Sequence, residues 1–67
     1  MSAIERAAEW ACSADRRTMI LGRLDDSKFF CRLCEAVKAD VVGYGPSRHT
    51  AAYAALMQLT IGARSAQ

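Results

Sequence analysis

Gly43-Tyr44-Gly45-Pro46-Ser47-Arg48-His49-Thr50-Ala51-Ala52-Tyr53-Ala54-Ala55-Leu56 is a Gly-x-Gly-Pro-Ser turn that feeds a basic helix start and then an alanine-rich helix. Pro46 pushes Gly45 out of helical geometry. Ser47 is a good N-cap for the helix that follows. Ala51, Ala54, Ala55, Gln58 and Leu59 are expected to share one face, and small alanines let a helix sit close to a sheet. Tyr53, Leu56, Met57 and Ile61 flank that stripe, and Gly62 suits a C-terminal cap. Gly43 and Gly45 are read as ending the preceding strand. In that strand Val37-Lys38-Ala39-Asp40-Val41 alternates apolar and charged residues, as a half-buried strand does.

Working outward from the turn, Ser2-Ala3-Ile4-Glu5 is a capping box. It predicts a helix to about Cys12 with Ile4, Ala7, Ala8 and Ala11 on a narrow inner face. Trp10 lies beside that stripe, at the core edge. Thr18-Met19-Ile20-Leu21-Gly22-Arg23-Leu24 reads as a strand. Asp25-Asp26-Ser27-Lys28 has turn chemistry, and Phe29-Phe30-Cys31-Arg32-Leu33-Cys34 is the returning strand of a hairpin. Phe29, Cys31 and Leu33 would face one side; Lys28, Phe30 and Arg32 would face the other. The fold class is therefore α+β: a three-stranded antiparallel sheet with two helices on one face, in the order α-β-β-β-α. One stretch supports a competing three-helix bundle. Over Lys28 to Ala39, the residues Phe29, Phe30, Leu33, Cys34 and Val37 also fall at helical spacing behind Ser27, and a short apolar run does not decide between the periods.

The chain has 67 residues, which allows one domain, expected over 1–62, with a flexible tail over 63–67. A composition of 52% hydrophobic and 24% charged residues is that of a globular protein, and a net charge of +2 is too small to identify a nucleic-acid binder. The three cysteines, Cys12, Cys31 and Cys34, are an odd number that argues against a disulfide scaffold and for a reducing, cytoplasmic setting. No apolar run reaches the length of about 20 residues that a membrane span needs. The start has no signal-peptide pattern. Met1 and the lack of any linker suggest a complete small gene product.

The stretch Gly43 to Leu59 resembles the C-terminal half of the double-stranded RNA-binding domain. That family shows a Gly-x-Gly-x-Ser turn, two lysines, an alanine, a third lysine and further alanines. Gly43, Gly45, Pro46, Ser47, Arg48, His49, Ala51, Ala54, Ala55 and Leu59 stand in step with it, and the rest of the chain matches in element order. The resemblance implies the α-β-β-β-α fold and three RNA-contacting patches that span about 16 base pairs of A-form helix. Glu5, Arg6 and Glu9 would be the first patch, on the first helix. The second would be the loop after the first strand, here Asp25-Asp26-Ser27, whose carboxylates repel a phosphodiester. The third would be Arg48 and His49, with Ala52 where the family has its third lysine.

Other chemistry is thinly represented. Cys31-x-x-Cys34 with Cys12 and His49 would make a three-Cys, one-His zinc set, but strand residues three apart point to opposite faces. His49 is the only histidine, and no spacing sets a nucleophile beside a base and an orienting group. No catalytic residue, metal or cofactor is expected. The expectation is a stand-alone binding protein, a regulator or inhibitor docking on a protein or ribonucleoprotein partner. It is similar in size and character to small phage-type inhibitors, anti-CRISPR proteins among them. Arg48, His49, exposed Tyr44 and the acidic pair Asp25 and Asp26 are the expected contacts. The alternative is a weak binder of structured or double-stranded RNA through Glu5, Arg6, Glu9, Arg48 and His49. A homodimer also suits so small a core.

Overall fold

The computed structural model describes residues 2–36 and 38–65. The order is α1 (Ala3–Cys12), β1 (Arg17–Asp25), β2 (Lys28–Glu35), β3 (Lys38–Gly45) and α2 (Arg48–Ser65). The strands form one antiparallel sheet in the order β1-β2-β3. This is the expected α+β architecture. The helical reading of Lys28 to Ala39 is wrong, because β2 pairs on both sides and is the central strand. Val37, at the expected start of the third strand, lies outside the described residues, as do Ala66 and Gln67 of the expected tail.

Ser2 caps α1 as expected, while the Glu5 carboxylate meets the Ser2 hydroxyl in place of its backbone N–H. The Glu5 N–H donates to Ser2 Oγ at 3.2 Å, and the Ser2 hydroxyl in turn donates to the Glu5 carboxylate at 3.2 Å. Its last turn is tied to the sheet by one side chain. Arg17 Nε donates to Glu35 Oε2 at 2.7 Å, its Nη1 donates to Ser13 Oγ at 2.9 Å, and its guanidinium lies 4.7 Å from the Trp10 ring centre. A cation at a helix C-terminus is also favoured by the helix dipole.

The β1–β2 connection is a two-residue turn, Asp26-Ser27, between the paired residues Asp25 and Lys28. The Asp25 carboxylate accepts from the Ser27 N–H at 2.9 Å, which supplies the turn's local hydrogen bond. The register shifts between Arg23 and Asp25, so Leu24 sits in a bulge, exposed.

The period-2 pattern sorts the sheet cleanly. Cys31 and Leu33 are fully buried on the inner face, with Met19, Leu21, Phe29 and Val41 packed against them. The outer face carries Ile20, Phe30, Arg32, Val42 and Tyr44, in the paired rows Gly22–Phe30–Tyr44 and Ile20–Arg32–Val42. Among the described residues the buried hydrophobic set is Ala3, Ala7, Cys31, Leu33, Ala51, Ala52 and Ala55. Leu33 is the one large aliphatic in it, and full burial of such a side chain contributes about 1.5–3 kcal/mol.

Three expectations about the second half of the chain are corrected. Gly43 does not end β3; it lies inside the strand and is buried. A Cβ there would collide with the backbone of α2 at Ala51, Ala54 and Ala55, so glycine is what lets the helix rest on the strand. No described residue has a positive φ, so close approach and not a left-handed turn is the reason for it. Gly62 does not end α2, which continues to Ser65. The buried stripe of α2 also differs from the expected one. Ala52 is fully buried while Gln58 is exposed, because α2 packs against α1 as well as against β2 and β3. Ser47 does cap α2. Its Oγ accepts from the Thr50 N–H at 3.2 Å, and its own N–H donates to Thr50 Oγ1 at 3.0 Å. That is a reciprocal box with threonine in the place of glutamate.

Candidate functional site

The antiparallel order brings the β1–β2 turn and the β3–α2 junction to one end of the molecule. Tyr44, Asp25, Asp26, Arg48 and His49 are therefore all at or near that end. Tyr44 is the last outer-face residue of β3 and is 54% exposed. Lys28 Nζ lies over its ring, 5.3 Å from the centre, in a cation–π contact. Asp26 is exposed at the turn, whereas the Asp25 carboxylate is engaged by Ser27.

Arg48 and His49 do not act as one clamp. Successive helix residues differ by about 100° around the axis. The Arg48 guanidinium lies 5.5 Å from the Phe29 ring centre, on the sheet side. His49 instead lines a groove between the helices with Ala3, Arg6, Tyr53, Leu56, Met57 and Thr60. The groove has a volume of about 420 Å³ and is open to solvent. Of the first-helix candidates, Arg6 joins His49 there, Glu5 is engaged by the Ser2 cap, and Glu9 is exposed along α1.

Sequence reading missed two residues of this end, Arg23 and Lys28. Arg23 pairs with Phe29 across the first hairpin, and Phe29 is the residue that Arg48 covers. Lys28 reaches Tyr44 across β2 and β3. Both placements depend on register, which no local motif announces. The end thus carries charge of both signs: Arg48 over Phe29 on the helix side of the sheet, Lys28 over Tyr44 on the open side, and Asp25 and Asp26 at the tip.

The thiols are dispersed. Cys12 is exposed at the end of α1, Cys31 is in the core, and Cys34 is on the outer face. Cys31 and Cys34 therefore do not chelate together, and among the described residues no group of three or more His, Cys, Asp or Glu side chains is placed to hold a metal ion. Burial pushes the Cys31 thiol pKa up. Partial burial and then a hydrogen bond with Asp40 push that of Cys34 up. Neither is an activated thiolate. The Arg32 guanidinium donates through Nε to Asp40 Oδ2 at 2.9 Å and also bonds it through Nη2, which raises the arginine's pKa further.

No family model matches this chain, and neither the curated proteins nor the solved structures contain a match to it. Any function must therefore be argued from these residues. His49 shares its groove with no carboxylate and no thiol, and the Thr60 hydroxyl there donates to the Leu56 carbonyl at 3.2 Å. Among the described residues no helix is long and apolar enough to cross a membrane.

Proposed function

We propose that this chain is a non-catalytic binding protein that docks on a protein or ribonucleoprotein partner as a regulator or inhibitor. Its size and character are similar to those of phage-type, anti-CRISPR-like inhibitors acting in a cytoplasm. The observation that carries the reading is the aromatic end with mixed charge: exposed Tyr44 under Lys28, Arg48 over Phe29, and Asp26 at the adjacent tip. Tyrosine and arginine are the side chains that most often anchor protein interfaces. Interleaved charges of both signs select and orient a partner with the opposite pattern. A phosphodiester backbone favours uniform positive charge instead. The dispersed cysteines and the isolated histidine support a role without bond-making chemistry.

Affinity capture with two surface variants tests this. Asp26→Lys reverses the tip, and Arg48→Glu reverses the first turn of α2, where a carboxylate also favours the helix dipole and keeps the fold. A partner held by the wild type and lost by both folded variants is the expected result. Equal retention by all three proteins would overturn the reading.

A second reading, weak binding of double-stranded RNA, is favoured by the meeting of Arg6 and His49 in one groove. It has the resemblance of Gly43 to Leu59 behind it. Against it, Ala52 is fully buried where the family carries its third lysine, and the tight, acidic β1–β2 turn offers nothing to a minor groove. On this reading Arg6→Ala and Arg48→Ala would each lower a salt-sensitive RNA affinity.

A further inference from the structure

We propose that the groove between α1 and α2 receives an acidic amphipathic helix of a partner protein. The inference rests on the reading of this chain as a protein-binding module, and it uses a surface apart from the charged end. Between His49 and Arg64 the sequence holds no charged residue. A helix face left to water normally carries charges. Here Tyr53, Met57 and Ile61 instead follow one another at intervals of four residues, 57%, 44% and 52% exposed. That spacing sets them in one row along the helix. α1 has 10 residues and α2 has 18, about 15 Å and about 27 Å of helix, so α1 cannot cover α2 along its whole length. The groove follows α2 from His49 to Thr60, about 16 Å, which matches about three turns of a second helix.

The polar groups of the groove choose the occupant. Arg6 and His49 line it, and among the described residues no carboxylate does. Glu5 and Glu9, the carboxylates nearest to Arg6 in the sequence, stand outside the lining. Among the described residues no ion pair and no side-chain hydrogen bond engages Arg6. A guanidinium in this position is matched by a carboxylate, which it holds through two N–H groups. His49 offers the same carboxylate, or one a turn away, a ring N–H donor.

Tyr53, Leu56 and Met57 make the rest of the groove apolar. They call for aliphatic anchors at the i, i+3/i+4 and i+7 positions of a docked helix. Both demands meet in a helix with one aliphatic face bordered by Asp or Glu. A second copy of this chain does not meet them, because its groove brings another arginine and no carboxylate to the two-fold contact. An RNA backbone finds two donors here and then an uncharged row, where a phosphate gains no contact.

Selection from a displayed library of amphipathic peptides of about 18 residues, five helical turns, reads this directly. Each peptide carries Leu at its apolar positions and Glu, Lys or Ser at random elsewhere. The wild type is expected to enrich Glu over Lys at least about tenfold. Arg6→Glu, at an exposed position of α1, should shift the selected charge from Glu to Lys. Met57→Lys should weaken binding of a selected peptide at least about tenfold, with circular dichroism confirming that the variant folds. Asp26→Lys and Arg48→Glu, which probe the charged end, should leave that binding unchanged. No enriched peptide, equal enrichment of Glu and Lys, or binding that survives both Arg6→Glu and Met57→Lys would overturn the proposal. If it fails in this way while a captured partner is still lost with Asp26→Lys and Arg48→Glu, docking at the charged end stands without it. An RNA duplex held in place of peptide and lost with Arg6→Ala would also overturn it, as would a dimer lost with Met57→Lys.

Discussion

Gly43 and Gly22 both lie inside strands of the fold, but they answer to different neighbours. A Cβ at Gly43 would meet the α2 backbone, with Ala54 C only 2.7 Å away, and a backbone in a packed helix cannot step aside. Gly43→Ala should cost about 2–3 kcal/mol through overpacking, measured by urea unfolding. At Gly22 the obstacle is the Phe30 ring on the open face, which can rotate away. Gly22→Ala should cost less than about 1 kcal/mol in the same assay, since alanine suffers less backbone entropy loss than glycine. The two roles were not legible from the residues, because a strand glycine signals close approach without saying what approaches. Cys31 gives a second test at this scale. Its thiol pKa is raised in the fold above the ordinary 9.0. The stability this contributes is fully present below the unfolded thiol's pKa and is lost as pH rises from there through the folded value. Unfolding free energy should therefore fall with rising pH above about pH 9, and Cys31→Ala should flatten that decline. Alkylation of the native protein should modify Cys12 readily and Cys31 only on global unfolding.

At the scale of elements, α1 and the sheet are joined through Arg17. Its side chain is 27% exposed and that of Glu35 22%, so the pair is only partly screened. Arg17→Ala removes the ion pair, the Ser13 bond and the cover over Trp10 together, and should cost about 1–2 kcal/mol in thermal or urea unfolding. Arg17→Lys should recover less than half of that, because an ammonium cannot reproduce the forked contacts. The hairpin of β1 and β2 was readable because a polar tetrapeptide separates two apolar runs. The helix-or-strand ambiguity of Lys28 to Ala39 was not resolvable locally. Phe29, Phe30, Leu33 and Cys34 satisfy both periods, and the pairing of β2 on two sides decides it. The buried position of Ala52 was missed because α2 is alanine-rich around much of its circumference, so no single stripe stands out. The site was partly readable for a related reason. Residues beside a turn or a cap, such as Tyr44, Asp26 and Arg48, announce themselves, whereas Arg23 and Lys28 enter it only through register.

For the whole molecule, the fold has the element order of a double-stranded RNA-binding domain, and several of its cations are engaged within the protein. Arg17 and Arg32 are neutralised within the protein, by Glu35 and Asp40. Arg48 and Lys28 lie over aromatic rings, and His49 is turned toward the helix–helix groove. Each phosphate contact missing from an interface lowers both affinity and salt dependence. The measurement that tests docking on protein over binding to RNA most directly is titration with an RNA duplex of about 20 base pairs, longer than the about 16 such a domain spans, at low and at physiological salt. The expected result is at most weak binding at low salt, absent at physiological salt and little changed by Arg48→Ala. Tight binding that falls steeply with salt and is lost with Arg48→Ala would contradict it.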